Sequence, residues 1–175
     1  MTIEIISLKI YWANERRGIK TKQQINYNKW IDEIFAPSSN FCGKASKGYF
    51  TLYDFQRAIE YGDFLFLAFD ERYEITGFAI CVDSPSLNWY IWGNNFQKKH
   101  GSLEISLICS KIPGQGAYLI EEIANFACHI LVRVSVQLNA LKTNEKLVKY
   151  YKSKGFVSFS SRKSNISHIR MKLDL

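Results

Sequence analysis

The sequence predicts a mixed α/β (α+β) domain, with a mostly antiparallel sheet of about six to seven strands flanked by about four helices. Three observations predict it. Leu103 to Cys128 opens with the alternation of a strand, passes through a glycine turn and closes with the periodicity of a helix. Phe64–Val82 and Phe156–Leu173 each read as two apolar strands around a polar turn, which favours antiparallel pairing. Tyr27, Trp30, Ile31, Ile34 and Phe35 recur at i, i+3, i+4, i+7 and i+8, so helical segments are interspersed with strands.

Taken in order, Ile3–Ile10 is a first strand and the polar, basic Ala13–Lys22 a loop. The helix that follows reaches Phe35, and Pro37 prevents its continuation. Pro37–Gly48 is Ser/Gly-rich and loop-like. Thr51-Leu-Tyr-Asp54 has the form of a capping box with Asp in the last place, opening a helix with Leu52, Phe55 and Ile59 inward and Gly62 at its end. Phe64–Phe69 is a continuous apolar strand, and Asp70–Glu74 turns the chain into a second one, Ile75–Val82. Asp83–Lys99 carries Trp89, Tyr90 and Trp92, which suit either a pocket wall or a cap on the core.

Past the central segment, Ile130–Leu138 alternates as a strand, and Thr143 or Asn144 opens a helix running to about Lys154, with Gly155 ending it. The closing hairpin puts Ile169, Met171 and Leu173 on its apolar side, with His168, Arg170 and Lys172 opposite. Nothing reads as a repeat or linker, so residues 1–175 are expected to form a single domain.

Composition narrows the classes. With 47% hydrophobic and 15% aromatic residues the chain is globular. No apolar run approaches the roughly 20 residues of a membrane span, and the charged N-terminus lacks a signal-peptide core, so an intracellular, cytoplasmic protein without a membrane partner is expected. Cys42, Cys81, Cys109 and Cys128 form no C-x-x-C pair and read as reduced, buried thiols; with His100, His129 and His168 scattered, no metal site is expected. From Arg133 onward ten Lys or Arg face only Glu145 and Asp174, a balance of +8 that leaves −1 for the first 132 residues of a chain at +7. That asymmetry suits an anionic ligand near the C-terminal third, or a solvated basic face with no partner.

The turn Lys111-Ile-Pro-Gly114-Gln-Gly116-Ala117 places two glycines at a helix entrance, where backbone N–H groups lack partners and attract anions. Such a turn cradles a phosphate, although the same glycines also suit a tight strand-to-helix connection without a ligand. A dinucleotide fingerprint is excluded, because Leu119 stands at the third glycine position and Val136–Gln137 where an acid belongs. A Walker loop is excluded too, since Gly43-Lys44 is followed by Ala45.

A second pattern lies in Asn144-Glu-Lys-Leu-Val-Lys-Tyr150-Tyr151-Lys-Ser-Lys-Gly155-Phe156, where Asn144, Val148 and Tyr151 share one helix face. This segment resembles the cofactor-side helix of the GNAT-type N-acetyltransferase superfamily. Lys111-x-x-Gly114-x-Gly116 resembles that superfamily's pyrophosphate signature, R/Q-x-x-G-x-G/A, with Lys111 in place of Arg or Gln and a short turn from Cys109 to Gly114. The strand containing Ile75-Thr-Gly77-Phe looks like its third strand. The resemblance covers about Asp63 to Phe156 and reaches the first 60 residues only in coarse pattern.

The resemblance implies a GNAT-like sheet with a splayed wedge between the Leu103–Cys109 and Ile130–Leu138 strands, and acetyl-CoA bound there. Ile108, Cys109, Ser110, Lys111, Gly114, Gln115, Gly116, Ala117, Asn144 and Tyr151 are the implied cofactor-binding residues. Gln115, Gly116 and Ala117 would offer N–H groups to the pyrophosphate, and the Cys109 backbone would pair with the pantetheine arm.

The implied activity is direct transfer of acetyl from acetyl-CoA to a primary amine, of a small molecule or a protein. Tyr151 is the candidate general acid and Glu104 the candidate base; core packing for Tyr151 and a solvent-facing role for Glu104 stay open. Cys109 has no neighbour in sequence to activate it as a nucleophile. Asp70, Glu71 and Asp83 would suit a cationic amine. A catalytically inactive acyl-CoA-binding or nucleic-acid-associated module on the same fold is the alternative, motivated by the basic C-terminal third. Monomer and homodimer are both compatible with the sequence.

Overall fold

The computed structural model describes residues 2–35, 52–84, 101–159 and 167–175. Its elements run β1 (Thr2–Ser7), α1 (Leu8–Arg16), α2 (Lys22–Phe35), α3 (Leu52–Tyr61), β2 (Phe64–Phe69), β3 (Ile75–Ser84), β4 (Ser102–Ser110), α4 (Gln115–His129), β5 (Ser135–Leu141), α5 (Glu145–Ser153), β6 (Val157–Ser158) and β7 (His168–Asp174). The seven strands among the described residues are ordered β1-β2-β3-β4-β5-β7-β6. The β1–β2, β2–β3, β5–β7 and β6–β7 pairs are antiparallel and β4–β5 is parallel, so the mostly antiparallel α/β class stands. The parallel pair needs a crossover, and α4 supplies it.

The chain divides into two compact units, Met1–Val82 with Leu107–Leu119, and Asp83–Ser106 with Ile120–Leu175. In the first, the apolar run of β2 is buried almost throughout, and its neighbours pair in register, Ile6 with Leu65 and Leu65 with Ile80. Leu8, Tyr11, Ile31, Ile34 and Ile59 from the helices join Leu65, Leu67, Phe69, Phe78 and Ile80 in one core. Each such side chain contributes roughly 1.5–3 kcal/mol on burial, which outweighs the weak intrinsic preferences of short helices. The first strand therefore ends at Ser7 and not at Ile10. Leu8 and Tyr11 form the buried stripe of α1, a fifth helix hidden in sequence by the polar run Asn14–Arg17.

In the second unit, Leu103 and Ile105 of β4 alternate with Ser102 and Glu104, and Val136, Leu138 and Ala140 of β5 are buried. Ile120, Ile123 and Ala127 of α4 are buried, while Glu121, Asn125 and His129 are exposed, the amphipathic division its sequence predicts. The expected strand Ile130–Leu138 is corrected to Ser135–Leu141. Residues 130–134 form a connection in which Ile130, Val132 and Val134 are exposed and Val132 takes φ +54°. Alternation alone does not distinguish those valines from a strand; the bond from the Arg133 N–H to Ala127 O (2.8 Å) ties the segment to the helix end instead.

The parallel register pairs Ser102–Ile105 with Ser135–Leu138 and stops before either strand does. Ser106 and Asn139, next along, are both exposed, and β5 continues against β7 alone, Asn139 opposite Arg170. Pro37–Gly48, the Thr51 end of the proposed capping box, and Trp89, Tyr90 and Trp92 lie outside the described residues, as do the side chains of Leu52 and Phe55.

Candidate functional site

The glycine turn belongs to the first unit and is built by three contacts to β3. The Lys111 N–H donates to Thr76 O (2.8 Å) and the Lys111 ammonium to Ile75 O (3.3 Å). The Gln115 carboxamide, 3% exposed, donates to the Thr76 hydroxyl, which donates in turn to Ala68 O (3.2 Å). Gly77 makes this approach possible: a Cβ there would stand 3.1–3.2 Å from Leu119, Cys109 O and Gln115. Gly114 takes φ +86°, a conformation open to glycine, and a Cβ on it would meet nothing within 4 Å.

The N–H inventory refines the expected cradle. The Gln115 N–H donates to Ile112 O (3.2 Å) and the Ala117 N–H to Gly114 O (3.0 Å), whereas the Gly116 N–H has no acceptor among the described residues. Gly116 thus presents the orphan donor at the start of the 15-residue helix α4, where the helix dipole adds partial positive charge. An anionic oxygen fits that point. Ile108, Cys109 and Ser110, at the end of β4, are half-buried, so this stretch is neither sealed in the core nor fully in solvent.

Glu104 lies in the second unit on the polar side of β4. Its Oε1 accepts from Asn139 Nδ2 (3.0 Å), and its Oε2 lies 3.7 Å from Arg170 Nη2. The Glu104 side chain is 27% exposed, with Asn139 and Arg170 on two sides. Asn139 and Arg170 are direct partners across β5 and β7, a relationship visible only once the register is known.

Asn144 and Tyr151 also belong to the second unit. Asn144 is the N-cap of α5: its Oδ1 accepts from the Leu147 N–H (3.1 Å) and its backbone O from the Val148 N–H (3.0 Å). Capping uses the carboxamide oxygen and leaves the Nδ2 donors. The Tyr151 ring is buried beside Tyr150 and Phe156, with centroids 5.6 and 5.7 Å away. Among the described residues its hydroxyl has no hydrogen-bond partner. Burial, and then the neighbouring Tyr150, push its pKa up to about 12, so it stays protonated in neutral solution.

Other candidates find structural roles. Asp70 Oδ1 accepts from the N–H groups of Arg72 (2.9 Å) and Glu74 (3.0 Å), closing the β2–β3 turn. Asp83 is clamped by Arg133, and Lys172 pairs with Asp174 at 2.7 Å, so two cations of the basic C-terminal third are already committed. Cys81 and Cys128 are free, but Cys109 is disulfide-bonded, which corrects the expectation of reduced thiols there and leaves it no thiolate for nucleophilic attack. Among the described residues no three His, Cys, Asp or Glu group as metal ligands, and no helix is long and apolar enough to cross a membrane.

No family model matches the sequence. No curated protein matches it either. Solved structures do match the fold. The N-acetyltransferase PseH of Campylobacter jejuni, in complex with acetyl coenzyme A, is 19% identical, with 99% of each chain covered and a TM-score of 0.55. A GNAT-family acetyltransferase of Listeria monocytogenes is 13% identical over 99% of this chain and 94% of its own, with a TM-score of 0.57. An acyl-CoA N-acyltransferase of Pseudomonas aeruginosa is 15% identical over 98% of both chains, with a TM-score of 0.58. The chain has the GNAT acetyltransferase fold.

Proposed function

We propose that this protein is an acetyl-CoA-dependent N-acetyltransferase that moves the acetyl group directly onto a primary amine. The observation that carries the proposal is the orphan Gly116 N–H, at the entrance of a long helix, in a turn held to β3 by Lys111 and Gln115. That arrangement offers a fixed donor to a pyrophosphate oxygen and needs no rearrangement to do so. Similarity to a GNAT enzyme solved with acetyl coenzyme A, covering 99% of both chains, supports the choice of anion.

Acetyl-CoA supplies an activated thioester when bound. In this reading the Gly116 N–H holds the pyrophosphate, and the backbone of Ile108–Ser110 aligns the pantetheine arm as an added strand. The Asn144 carboxamide keeps its oxygen on the helix cap and offers its Nδ2 donors to the cofactor. Glu104 accepts the proton that the amine nitrogen loses as its bond to the acetyl carbon forms and the carbon–sulfur bond breaks.

The Tyr151 hydroxyl donates a hydrogen bond to the departing sulfur. Complete transfer from a phenol near 12 to a thiolate with the ordinary thiol value would be uphill by roughly 5 kcal/mol. The hydroxyl therefore stabilises the thiolate, which takes its proton from solvent.

Thermal unfolding with and without excess acetyl-CoA tests the reading, in the wild type and in Gly116→Trp. At about 100 times the dissociation constant, binding adds about 2.7 kcal/mol, a rise of roughly 5–10 °C for a chain of this size. A rise lost in a still-folded Gly116→Trp variant places the pyrophosphate at this turn. No rise in the wild type removes acetyl-CoA from the account.

A further inference from the structure

Glu104, Asn139 and Arg170 form a cluster within the second unit that recognition of acetyl-CoA does not use, and Arg170 is its unusual member. A guanidinium has five N–H donors. Arg170 brings only Nη2 towards a partner, and 3.7 Å from Glu104 Oε2 is beyond hydrogen-bond length. Its Nε is buried and has no hydrogen-bond partner. The guanidinium carbon lies over the Phe159 ring, 5.3 Å from the centroid, a cation–π contact that satisfies no donor.

The neighbours do not explain the deficit. Lys172, two residues along the same side of β7, has Asp174 as its own partner at 2.7 Å. His168, two residues the other way, meets the Ser167 hydroxyl at 2.9 Å. Asn139, directly across from Arg170, gives its amide to Glu104. Arg170 remains 32% exposed, so an incoming group can reach it.

A cation with unused donors therefore stands beside a carboxylate already held in place by Asn139. We propose that this pair selects the acceptor: an amine that also carries an anionic group, carboxylate or phosphate, with the nitrogen delivered to Glu104 and the anion to Arg170. The inference rests on the acetyltransferase reading for its chemistry, though not for its binding site.

The geometry bounds the acceptor. The 3.7 Å between the charged groups, extended by a hydrogen bond of about 2.9 Å at each end, allows at most about 9–10 Å between the acceptor's nitrogen and its anionic oxygen.

The test uses the full chain and matched probes: β-alanine against propylamine for the carboxylate, and O-phosphoethanolamine against ethanolamine for the phosphate. Thermal unfolding with each probe is read in the wild type, Arg170→Met and Arg170→Lys, and acetyl transfer to each probe is measured in parallel. In the wild type the anionic member of at least one pair should raise the unfolding midpoint and be favoured in kcat/KM by roughly 10- to 100-fold, the range of a charge-assisted hydrogen bond. Which pair responds distinguishes carboxylate from phosphate. Arg170→Met should abolish the preference without changing the acetyl-CoA shift, and Arg170→Lys should keep part of it.

If acetyl-CoA stabilises the protein but neither pair shows a preference, the anionic-acceptor proposal falls and the acetyltransferase reading stands. If the anionic probes bind through Arg170 while acetyl-CoA gives no shift, the recognition site stands and the acetyltransferase reading falls. Preference that survives in Arg170→Met overturns the assignment to Arg170.

Discussion

Asp83 and Arg133 meet as a two-point fork, Nε to Oδ1 at 2.7 Å and Nη2 to Oδ2 at 2.6 Å, with only 21% and 11% of their side chains exposed. The fork joins the end of β3 to the connection after α4, and the hydrogen bond from Arg133 to Asp83 raises the already high pKa of the guanidinium. Removing the cation leaves a partly buried carboxylate without its main partner. Arg133→Met should cost about 2–3 kcal/mol, somewhat below a fully buried pair because some solvent reaches the site. The unfolding midpoint should fall by roughly 5–10 °C. Adding Asp83→Asn should recover part of the loss in a double-mutant cycle, and strict additivity would show that the fork contributes no coupling.

Next to the fork, Val132 holds φ +54°, a region that disfavours β-branched side chains, and the residue is 48% exposed. A left-handed conformation costs an L-residue roughly 1–2 kcal/mol, and Asn tolerates it better than Val. Val132→Asn gives up little packing and should stabilise the protein by about 1 kcal/mol in a urea titration. A loss of stability would mean that the valine side chain supports the connection.

Most of the fold is legible in sequence, and the failures share a cause. The alternation of Leu103–Cys109, the run Phe64–Phe69 and the stripe of α4 all follow from burial on one face, which periodicity reports. At Leu8–Arg16 and Ile130–Val134, local pattern and tertiary packing disagree: a helix lies behind a polar run, and an exposed turn behind alternating valines. The glycine turn and the Asn144–Tyr151 helix are visible because backbone conformation and helix register constrain residue type over short distances. Asn139 and Arg170 acquire meaning only through the β5–β7 register, which pairs residues 31 apart in sequence.

Asn144 has two jobs in the proposed enzyme, and they can be separated. Asn144→Ala removes the cap on Leu147 and should cost about 1 kcal/mol of stability. Asn144→Ser keeps a capping oxygen but discards the amide donors. If those donors meet the cofactor, Asn144→Ser should retain near-wild-type stability and bind acetyl-CoA several-fold more weakly by calorimetry. Unchanged affinity in the serine variant would confine Asn144 to capping.

Tyr151 offers a test in which stability and catalysis carry different signatures. Burial raises its pKa from 10.0 to about 12, so the folded state prefers the neutral phenol more strongly than the unfolded state does. Its contribution is complete below pH 10 and is lost as pH rises towards 12. At pH 11 the unfolded chain has gained about 1.4 kcal/mol from ionising this group, and at pH 12 and above the loss approaches 2.7 kcal/mol. Tyr151→Phe keeps the ring and removes the titration, so denaturation at pH 8 and pH 11 should show a smaller alkaline loss in the variant, by about 1.4 kcal/mol. If the hydroxyl also stabilises the departing sulfur, the same substitution should lower kcat by roughly 100-fold while leaving acetyl-CoA affinity nearly unchanged. A variant that loses its alkaline sensitivity but turns over at the wild-type rate would make Tyr151 a core aromatic and no more.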